Sequence, residues 1–427
     1  TAMELSKRIT PEDAYWNLSF SGSVTKRVTD DLNINGLVDV GGNASFDVNT
    51  NNIDLSVAKN WRITSGAGTP FNYGTEQVTF DGAGRQWINA DAGAQFYNVV
   101  VNKAGDSLVL NSDMTINTSA SLTLTGGFVS SNSTDRLILE DNVTSSTGST
   151  SSFVDGTMVK IGNEAFTFPL GDVGNYQPLT ISAPSLATDE FTAVYRFADP
   201  RAFWDEISLG TDIHHVSTEE YWILNRMVGI SSVSVTLGWN ANSGGVQTPD
   251  SLVIARWNGT QWANEGNGGT TGEASAGTLV SGAPIASFSP FTLASVGFGF
   301  TGNALPVKLI SFQATRKSSD VFTSWVTETE IDYDRFHVIR SADGETWEDV
   351  GTLPGAGNSS VRREYQYVDE DAPRLDLYYR LKQVDYDGSA SYSKIQFVPF
   401  IGNSGGEPTF TTCCQVLTGS TPPMYNA

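Results

Sequence analysis

The sequence predicts an all-β chain. A parallel β-helix or solenoid is expected over residues 1–155, a β-sandwich over 156–300, and an Ig- or fibronectin-III-like sandwich over 305–399. A linker and a partial or truncated C-terminal region follow at 400–427. Three observations predict this class. Short apolar runs alternate with polar residues, as in Leu32-Asn33-Ile34, Val78-Thr79-Phe80, Leu122-Thr123-Leu124 and Leu137-Ile138-Leu139. Turn residues separate the runs: Gly supplies 42 of 427 residues, above the ordinary ~7%, and sits among Asn, Asp, Ser and Thr. No apolar stripe at helical spacing reaches a useful length.

The first segment carries an internal similarity. Tyr15-Trp16-Asn17-Leu18-Ser19-Phe20 matches Phe96-Tyr97-Asn98-Val99-Val100-Val101 at an offset of 81, and Asp31-Leu32-Asn33-Ile34-Asn35 matches Asp113-Met114-Thr115-Ile116-Asn117 at an offset of 82. A repeat of this length fits about four coils of ~20 residues, each burying an apolar row on the next. Stacked ~4.8 Å apart, seven or eight coils make a rod of roughly 35 Å. The competing reading is a sandwich with a duplicated hairpin.

In the second segment Val233, Val235, Leu237 and Trp239 alternate with Ser234, Thr236 and Gly238, the pattern of a half-buried strand. Asn258-Gly259 predicts a type I′ hairpin turn after residues 252–257, with both central residues at positive φ. The third segment uses the same device twice. Asp343-Gly344 turns residues 336–340 back towards Trp347, and Asp387-Gly388 turns 379–384 back towards 392–397. About seven strands in ~95 residues, with Trp325 as core, suit an Ig-like sandwich without a disulfide.

Several of these stretches resemble large secreted surface proteins of Bacteroidota. Trp61-Arg62-Ile63, Val78-Thr79-Phe80-Asp81-Gly82 and Phe96-Tyr97-Asn98-Val99-Val100-Val101-Asn102 are similar to their repeats. Gly156-Thr157-Met158-Val159-Lys160, Phe166-Thr167-Phe168-Pro169-Leu170-Gly171-Asp172, Glu220-Tyr221-Trp222-Ile223-Leu224 and Ser287-Phe288-Ser289-Pro290-Phe291-Thr292-Leu293 resemble the domain that follows. Leu305-Pro306-Val307-Lys308-Leu309-Ile310-Ser311-Phe312 and Tyr378-Tyr379-Arg380-Leu381-Lys382-Gln383-Val384-Asp385 resemble the module preceding a type IX secretion sorting domain. The resemblance spans most of residues 14–397. It implies a cargo of the type IX system, with the translocon and the outer-membrane attachment machinery as partners. It also implies residence at the outer-membrane surface of a Gram-negative bacterium. One departure stands out. The linker Gly402-Asn403-Ser404-Gly405-Gly406 is present, but Phe410-Thr411-Thr412-Cys413-Cys414-Gln415-Val416 occupies the place of the family's Tyr-Pro-Asn-Pro-like motif.

Composition removes other classes. With 25 Lys and Arg against 47 Asp and Glu, the net charge of −22 repels phosphate backbones and excludes nucleic acid as a direct partner. No apolar run is long enough for a transmembrane helix. The two cysteines, Cys413 and Cys414, are adjacent and poorly placed to bridge each other. They and three histidines make no Cys/His zinc constellation. The stretch Thr1-Ala2-Met3-Glu4-Leu5 has neither the basic nor the apolar part of a signal peptide, as expected of a mature chain or a piece of a longer one.

Candidate chemistry is sparse. The charged residues of the first segment, Asp81, Arg85, Asp91, Lys103 and Asp106, are scattered and read as solvated turns rather than a catalytic carboxylate pair. His214 and His215 precede a strand, where neighbours point to opposite faces. A shared metal or an acid/base pair is therefore not expected of them. No Gly-x-Ser-x-Gly elbow marks a nucleophile. Weak Ca²⁺ candidates are Asp369, Glu370 and Asp371 with Asp385 and Asp387, although neither group has the spacing of a dedicated loop. No other cofactor is expected. Asp106-Ser107-Leu108 and Asp250-Ser251-Leu252 resemble a three-residue O-glycosylation motif of exported Bacteroidota proteins, which makes Ser107 and Ser251 acceptor candidates. Trp61, Trp257 and Trp262 are candidates for stacking on sugars, although alternating contexts favour the core.

The expectation is a non-enzymatic secreted protein acting as a rigid stalk or adhesin. The alternatives are a subunit of an extracellular filament and a polysaccharide-binding or polysaccharide-active β-helix protein. Surface glycans or copies of itself are the further candidate partners.

Overall fold

A computed structural model describes residues 3–5, 15–23, 25–64, 70–204, 209–210, 212–288, 290–296, 309–327, 330–359, 362–385 and 390–400. It is all-β, with a solenoid of about six turns followed by antiparallel sheets. The chain divides into two compact units, the first of residues 1–308 with 328–333 and 356–362, the second of the remaining residues from 309 on. The expected Asp387-Gly388 turn, the two cysteines and the region from 401 on lie outside the described residues.

Each solenoid coil has three short faces, because alternating runs of three to five residues cannot continue past the glycines and asparagines that end them. Face one stacks Leu32–Ile34, Leu55–Val57, Gln77–Phe80, the start of Asn98–Leu110, the start of Ser121–Ser130, and Thr144–Ser145, all in parallel. Partners Leu32, Leu55, Val78, Val99, Leu122 and Ser145 follow one another at 23, 23, 21, 23 and 23 residues. Face two stacks Leu18–Phe20, Val38–Val40, Trp61–Ile63, Gln86–Ala90, the ends of the two long strands, and Val154–Asp155. Face three is shared between two ladders. One runs from Met3–Leu5 to Phe71–Asn72, and the other from Ala94–Phe96 to Met158–Ile161.

The coil is therefore about 23 residues long, and the 81–82-residue similarity is not its multiple. Leu18 lies on face two and its counterpart Val99 on face one; Leu32 lies on face one and Met114 on face three. The offset equals three coils and two further faces. A strand-and-turn signal recurs on every face, so sequence similarity does not respect the coil.

Inside, the alternating residues stack in rows, and aromatic rings fill the N-terminal half. Phe20 meets Phe46 at 5.0 Å, Trp61 meets Phe71 at 4.8 Å and Phe96 at 5.2 Å between ring centroids. Two of the corners between faces one and two demand glycine. A Cβ on Gly82 would lie 2.0 Å from the carbonyl oxygen of Ala58 in the preceding coil, and one on Gly36 would lie 1.1 Å from that of Trp16.

At residue 156 the sheet changes polarity but the core does not break. Met158–Ile161 pairs in parallel with Leu137–Leu139 of the solenoid and antiparallel with Glu190–Arg196, in the register Met158 with Ala193 to Ile161 with Glu190. The same sheet continues through Tyr221–Val228, Pro290–Ser295, Leu252–Trp257 and Trp262–Asn264. A second sheet, Phe166–Phe168, Leu179–Ile181, Val235–Trp239, Ala276–Val280 and Gly269–Glu273, completes the sandwich. One hydrophobic cluster runs from Leu18 through Val99 and Met158 to Leu293. Val233, Val235, Leu237 and Trp239 are all buried, as their alternation predicts.

The hairpin after Leu252–Trp257 forms, with Trp257 opposite Trp262, but its loop is four residues rather than two. Asn258 does not take positive φ; only Gly259 does, at 100°. The Asn258 carboxamide oxygen instead accepts from the backbone of Thr260 and Gln261, each at 3.0 Å, so a side-chain turn replaces the I′ geometry.

The second unit sets three strands, Leu309–Lys317, Asp320–Thr327 and Arg363–Asp369, in one sheet. The other contains Glu348–Ser359, Glu330–Ser341 and Leu377–Asp385, whose free side pairs with Ala390–Tyr392 and Gln396–Val398. Two antiparallel sheets are thus present in this segment, with the Asp343-Gly344 turn among the described residues. Trp325 is 1% exposed and stacks on Tyr365 at 5.4 Å. The Asp343 carboxylate accepts from the backbone of Glu345 and Thr346, at 2.9 and 2.7 Å, while Gly344 takes φ 79°. These donors hold the Asp343 pKa well below the usual carboxylate range.

Candidate functional site

The outward surface of face two is the best-organised candidate site, and strand parity builds it. In Gln86–Ala90 the inward residues are Gln86, Ile88 and Ala90, which sends Trp87 and Asn89 outward. Register then aligns two outward rows. One contains Asp39, Arg62, Asn89 and, one step on, Asn111; the other contains Asn60, Trp87, Val109, Ser130 and Asp155. Successive residues in a row are ~4.8 Å apart, the strand spacing. Between the rows lies an open hollow of about 280 Å³ lined by Leu37, Asn60, Trp61, Arg62, Trp87, Asn89 and Asn111.

Two contacts fix its shape. Arg62 donates through Nε and Nη2 to the two oxygens of Asp39, at 2.8 and 2.5 Å, and the carboxylate raises the guanidinium pKa further. The Asn60 side-chain oxygen accepts from the Trp87 backbone N–H at 3.0 Å. The Trp87 side chain is partly exposed, whereas among the described residues the amides of Asn89 and Asn111 have no hydrogen-bond partner.

Beneath the neighbouring corner, Lys103 departs from its expected place in a solvated turn. It is 3% exposed. Its ammonium donates to the carbonyls of Gly82 and Gly84 at 2.8 and 2.6 Å and to Gln86 Oε1 at 2.8 Å. Burial, partly offset by Asp106 and Asp81, pushes its pKa down to about 8. Lysine appears here because three acceptors converge where a coil corner turns its carbonyls inward. Asp81 accepts from Ser56 at 2.5 Å and Arg85 faces Asp106 at 3.9 Å, both at the surface as expected.

The end of the solenoid and the sandwich are joined by polar contacts as well as by the shared sheet. Val154 bridges Leu170, and the Gly148 backbone N–H donates to the Tyr176 hydroxyl at 3.1 Å. Lys160, 3% exposed, donates to the Glu140 carbonyl at 2.9 Å and pairs with Glu164. Within the sandwich Glu220 is fully buried and accepts from the Tyr195 hydroxyl at 2.8 Å and from Gln177 Nε2 at 3.1 Å. Asn175 donates to Tyr195 at 2.6 Å and accepts from Asn240 at 2.9 Å. Burial raises the Glu220 pKa to about 7, against the lowering pull of Ser243, Tyr195 and Gln177. Burial and Glu220 also raise that of Tyr195.

The residues singled out by sequence are not gathered into one place. Asp369 is buried and accepts from Arg340 Nη1 at 2.7 Å and from the Tyr379 hydroxyl at 2.6 Å, so its carboxylate is already engaged. Glu370 and Asp371 are exposed, and the Asp371 N–H donates to Asp320 at 3.1 Å. Asp387 and the side chain of Asp385 lie outside the described residues. Among the described residues no three His, Cys, Asp or Glu side chains are placed to hold a metal ion. Ser107 and Ser251 are both half-buried, the first with its N–H on Asp106 at 2.7 Å.

His214 and His215 differ from expectation. His214 lies just before the strand, so strand alternation does not separate the rings. Their Nδ1 atoms are 2.9 Å apart, within hydrogen-bond distance, with the rings edge-on. Burial lowers the His214 pKa. Trp61 and Trp262 are fully buried and Trp257 packs on Trp262, so the first two offer no stacking surface. Trp87 is a partly exposed indole that sequence reasoning did not single out; Trp16, in the first described coil, is another and is more exposed. The signal was available: Ile88 and Ala90 fix the inward parity, and Gln86 rather than Trp87 shares it.

No family model matches the chain, and no curated protein matches it. Among solved structures, a β-1,2-glucanase from Parabacteroides distasonis aligns at 15% identity and a TM-score of 0.18. The alignment covers 60% of this chain and 38% of that one, a likeness too slight to bear on fold or function. No helix among the described residues is long and apolar enough to cross a membrane.

Proposed function

We propose that this chain is a non-enzymatic, rigid spacer in an extracellular bacterial surface protein, holding an adhesive part away from the cell. The observation that carries this reading is the sheet that passes from the solenoid through Met158–Ile161 into Glu190–Arg196 over one unbroken core. A joint of this kind resists bending, because hinging would break ladder hydrogen bonds and open the core together. The net charge of −22 favours solubility of an exposed rod. Export by the type IX system to the outer-membrane surface rests on the sequence resemblance.

A non-enzymatic role is favoured by the placement of carboxylates on face two. Asp39 is tied to Arg62, and Asp155 faces Arg196 at 3.8 Å. Within face two, five coils separate these two carboxylates, roughly 24 Å at strand spacing, against about 5–10 Å for a glycosidase pair; the carboxylate that acts on Asp155 is Asp172, in the sandwich.

Negative-stain electron microscopy of the secreted protein, with and without chelator, tests the reading. Isolated rods in which residues 15–296 form one straight body are expected. Beads hinged at residue 156 refute the spacer. Regular head-to-tail polymers replace it with a filament subunit, and release of reducing sugar from a polysaccharide replaces it with an enzyme.

A further inference from the structure

We propose that the hollow on face two binds a neutral polysaccharide, with one sugar ring stacked on Trp87 and its hydroxyls, or those of its neighbours, on Asn89, Asn111 and the Arg62–Asp39 pair. This adds a ligand to the spacer and does not depend on the spacer reading.

Four observations lead there. First, the Trp87 side chain is 38% exposed, and a flat aromatic surface with a polar surround suits the apolar face of a pyranose. Second, Asn89 and Asn111 sit at adjacent register positions in one row. Each amide presents a donor and an acceptor, the combination that two neighbouring sugar hydroxyls satisfy. Neither amide is used by the fold among the described residues, so the amides are not explained as internal braces. Third, the site is electrically balanced. The one cation, Arg62, is matched by Asp39 in a two-bond pair, which leaves no excess positive charge to hold an acidic polymer against a chain of net charge −22. Fourth, the hollow is open and small, about 280 Å³, below the range of enclosed small-molecule pockets. Its polar groups repeat along the solenoid axis every ~4.8 Å. A site of that form suits a length of extended chain rather than a compact metabolite.

The ladder also supplies rigidity. Trp87 and Asn89 belong to one strand, paired on both sides by Trp61–Ile63 and Asn98–Leu110, so the recognising groups are fixed before the ligand arrives. The outward row of face one lacks this combination. Face one presents Asn33, Ser56, Thr79, Val100 and Thr123, short side chains with no ring among them.

The test is affinity electrophoresis of the full chain in native gels containing soluble β-glucan, mannan, xylan or galactan, with polygalacturonate and alginate as acidic polymers. Retardation by at least one neutral polymer is expected. Trp87→Ala should weaken it about ten-fold, the size of a stacking contact, and Asn89→Ala with Asn111→Ala should weaken it by a similar factor. Phe203→Ala, an exposed aromatic on the sandwich, should leave it unchanged. The paired asparagine variant tests the same hollow should Trp87→Ala lose stability, because those amides hold nothing in the fold. Retardation by no neutral polymer, retardation by acidic polymers alone, or retardation that survives both groove variants overturns the proposal.

Discussion

Replacing Glu220 by Gln should abolish a stability change that the wild-type chain shows between pH 4.5 and 7. Glu220 is wholly buried, with its carboxyl group held by Tyr195, Gln177 and Ser243, and burial raises its pKa from the ordinary 4.5 to about 7. Within that window the folded chain keeps a proton that the unfolded chain has released. Stability contributed by this group is therefore fully present below pH ~4.5, falls as pH rises, and is lost above pH ~7. At ~1.4 kcal/mol per pH unit, the loss is about 3 kcal/mol. The carboxamide of the Glu220→Gln variant would keep the shape and stay neutral at every pH. The measurement is urea unfolding of both proteins at pH 4.5 and pH 8, followed by tryptophan fluorescence, since Trp222 lies 5.2 Å from Tyr195. With a slope of ~3 kcal/mol per molar, the wild-type midpoint should drop ~1 M further than the variant's between the two pH values. Asp155, whose pKa burial also raises, is present in both proteins and cancels. Identical midpoint shifts in the two proteins would refute the reasoning, and so would a larger shift in the variant.

Four further outcomes are expected. Lys103→Ala strands the carbonyls of Gly82 and Gly84 and the Gln86 oxygen in a buried corner, and should cost roughly 3 kcal/mol, read as a lowered denaturation midpoint; an unchanged midpoint would mean that water replaces the ammonium freely. Gly82→Ala places a methyl group 2.0 Å from the Ala58 carbonyl oxygen, so the solenoid should lose about 2–3 kcal/mol, whereas Gly84→Ala, with open space around it, should change its melting temperature little. Tyr379→Phe removes the hydroxyl donated to Asp369 at 2.6 Å and should destabilise the second unit by about 2 kcal/mol. In the wild-type chain a chelator should leave that unit's melting temperature unchanged, and a drop of several degrees would restore the calcium reading of Asp369 and its neighbours.

Much of this architecture is legible in short-range pattern. Leu32-Asn33-Ile34 and its successors announce strands because each alternates, and Asp343-Gly344 announces its turn because only that pair supplies both the carboxylate acceptor and the positive φ. The coil length is hidden by the same regularity, since every face repeats one strand-and-turn signal and an offset of 81 looks as good as one of 23. Lys103 is illegible for a different reason. Its acceptors come from Gly82, Gly84 and Gln86 in the preceding coil, and no local pattern says that a lysine will find three carbonyl or amide oxygens there. The two histidines mislead because strand alternation does not hold one residue before the strand begins. Trp87 can be read from the parity of Ile88 and Ala90, but the hollow around it requires the register of four coils at once.

The shared sheet also bears on how the chain assembles. A solenoid grows by laying each coil on the last, and its final strand, Met158–Ile161, would present an unsatisfied edge to any passing strand. Here that edge is covered: Glu190–Arg196 pairs with it over four residues in a defined register. An edge covered in this way offers no open ladder on that face to a strand of another chain.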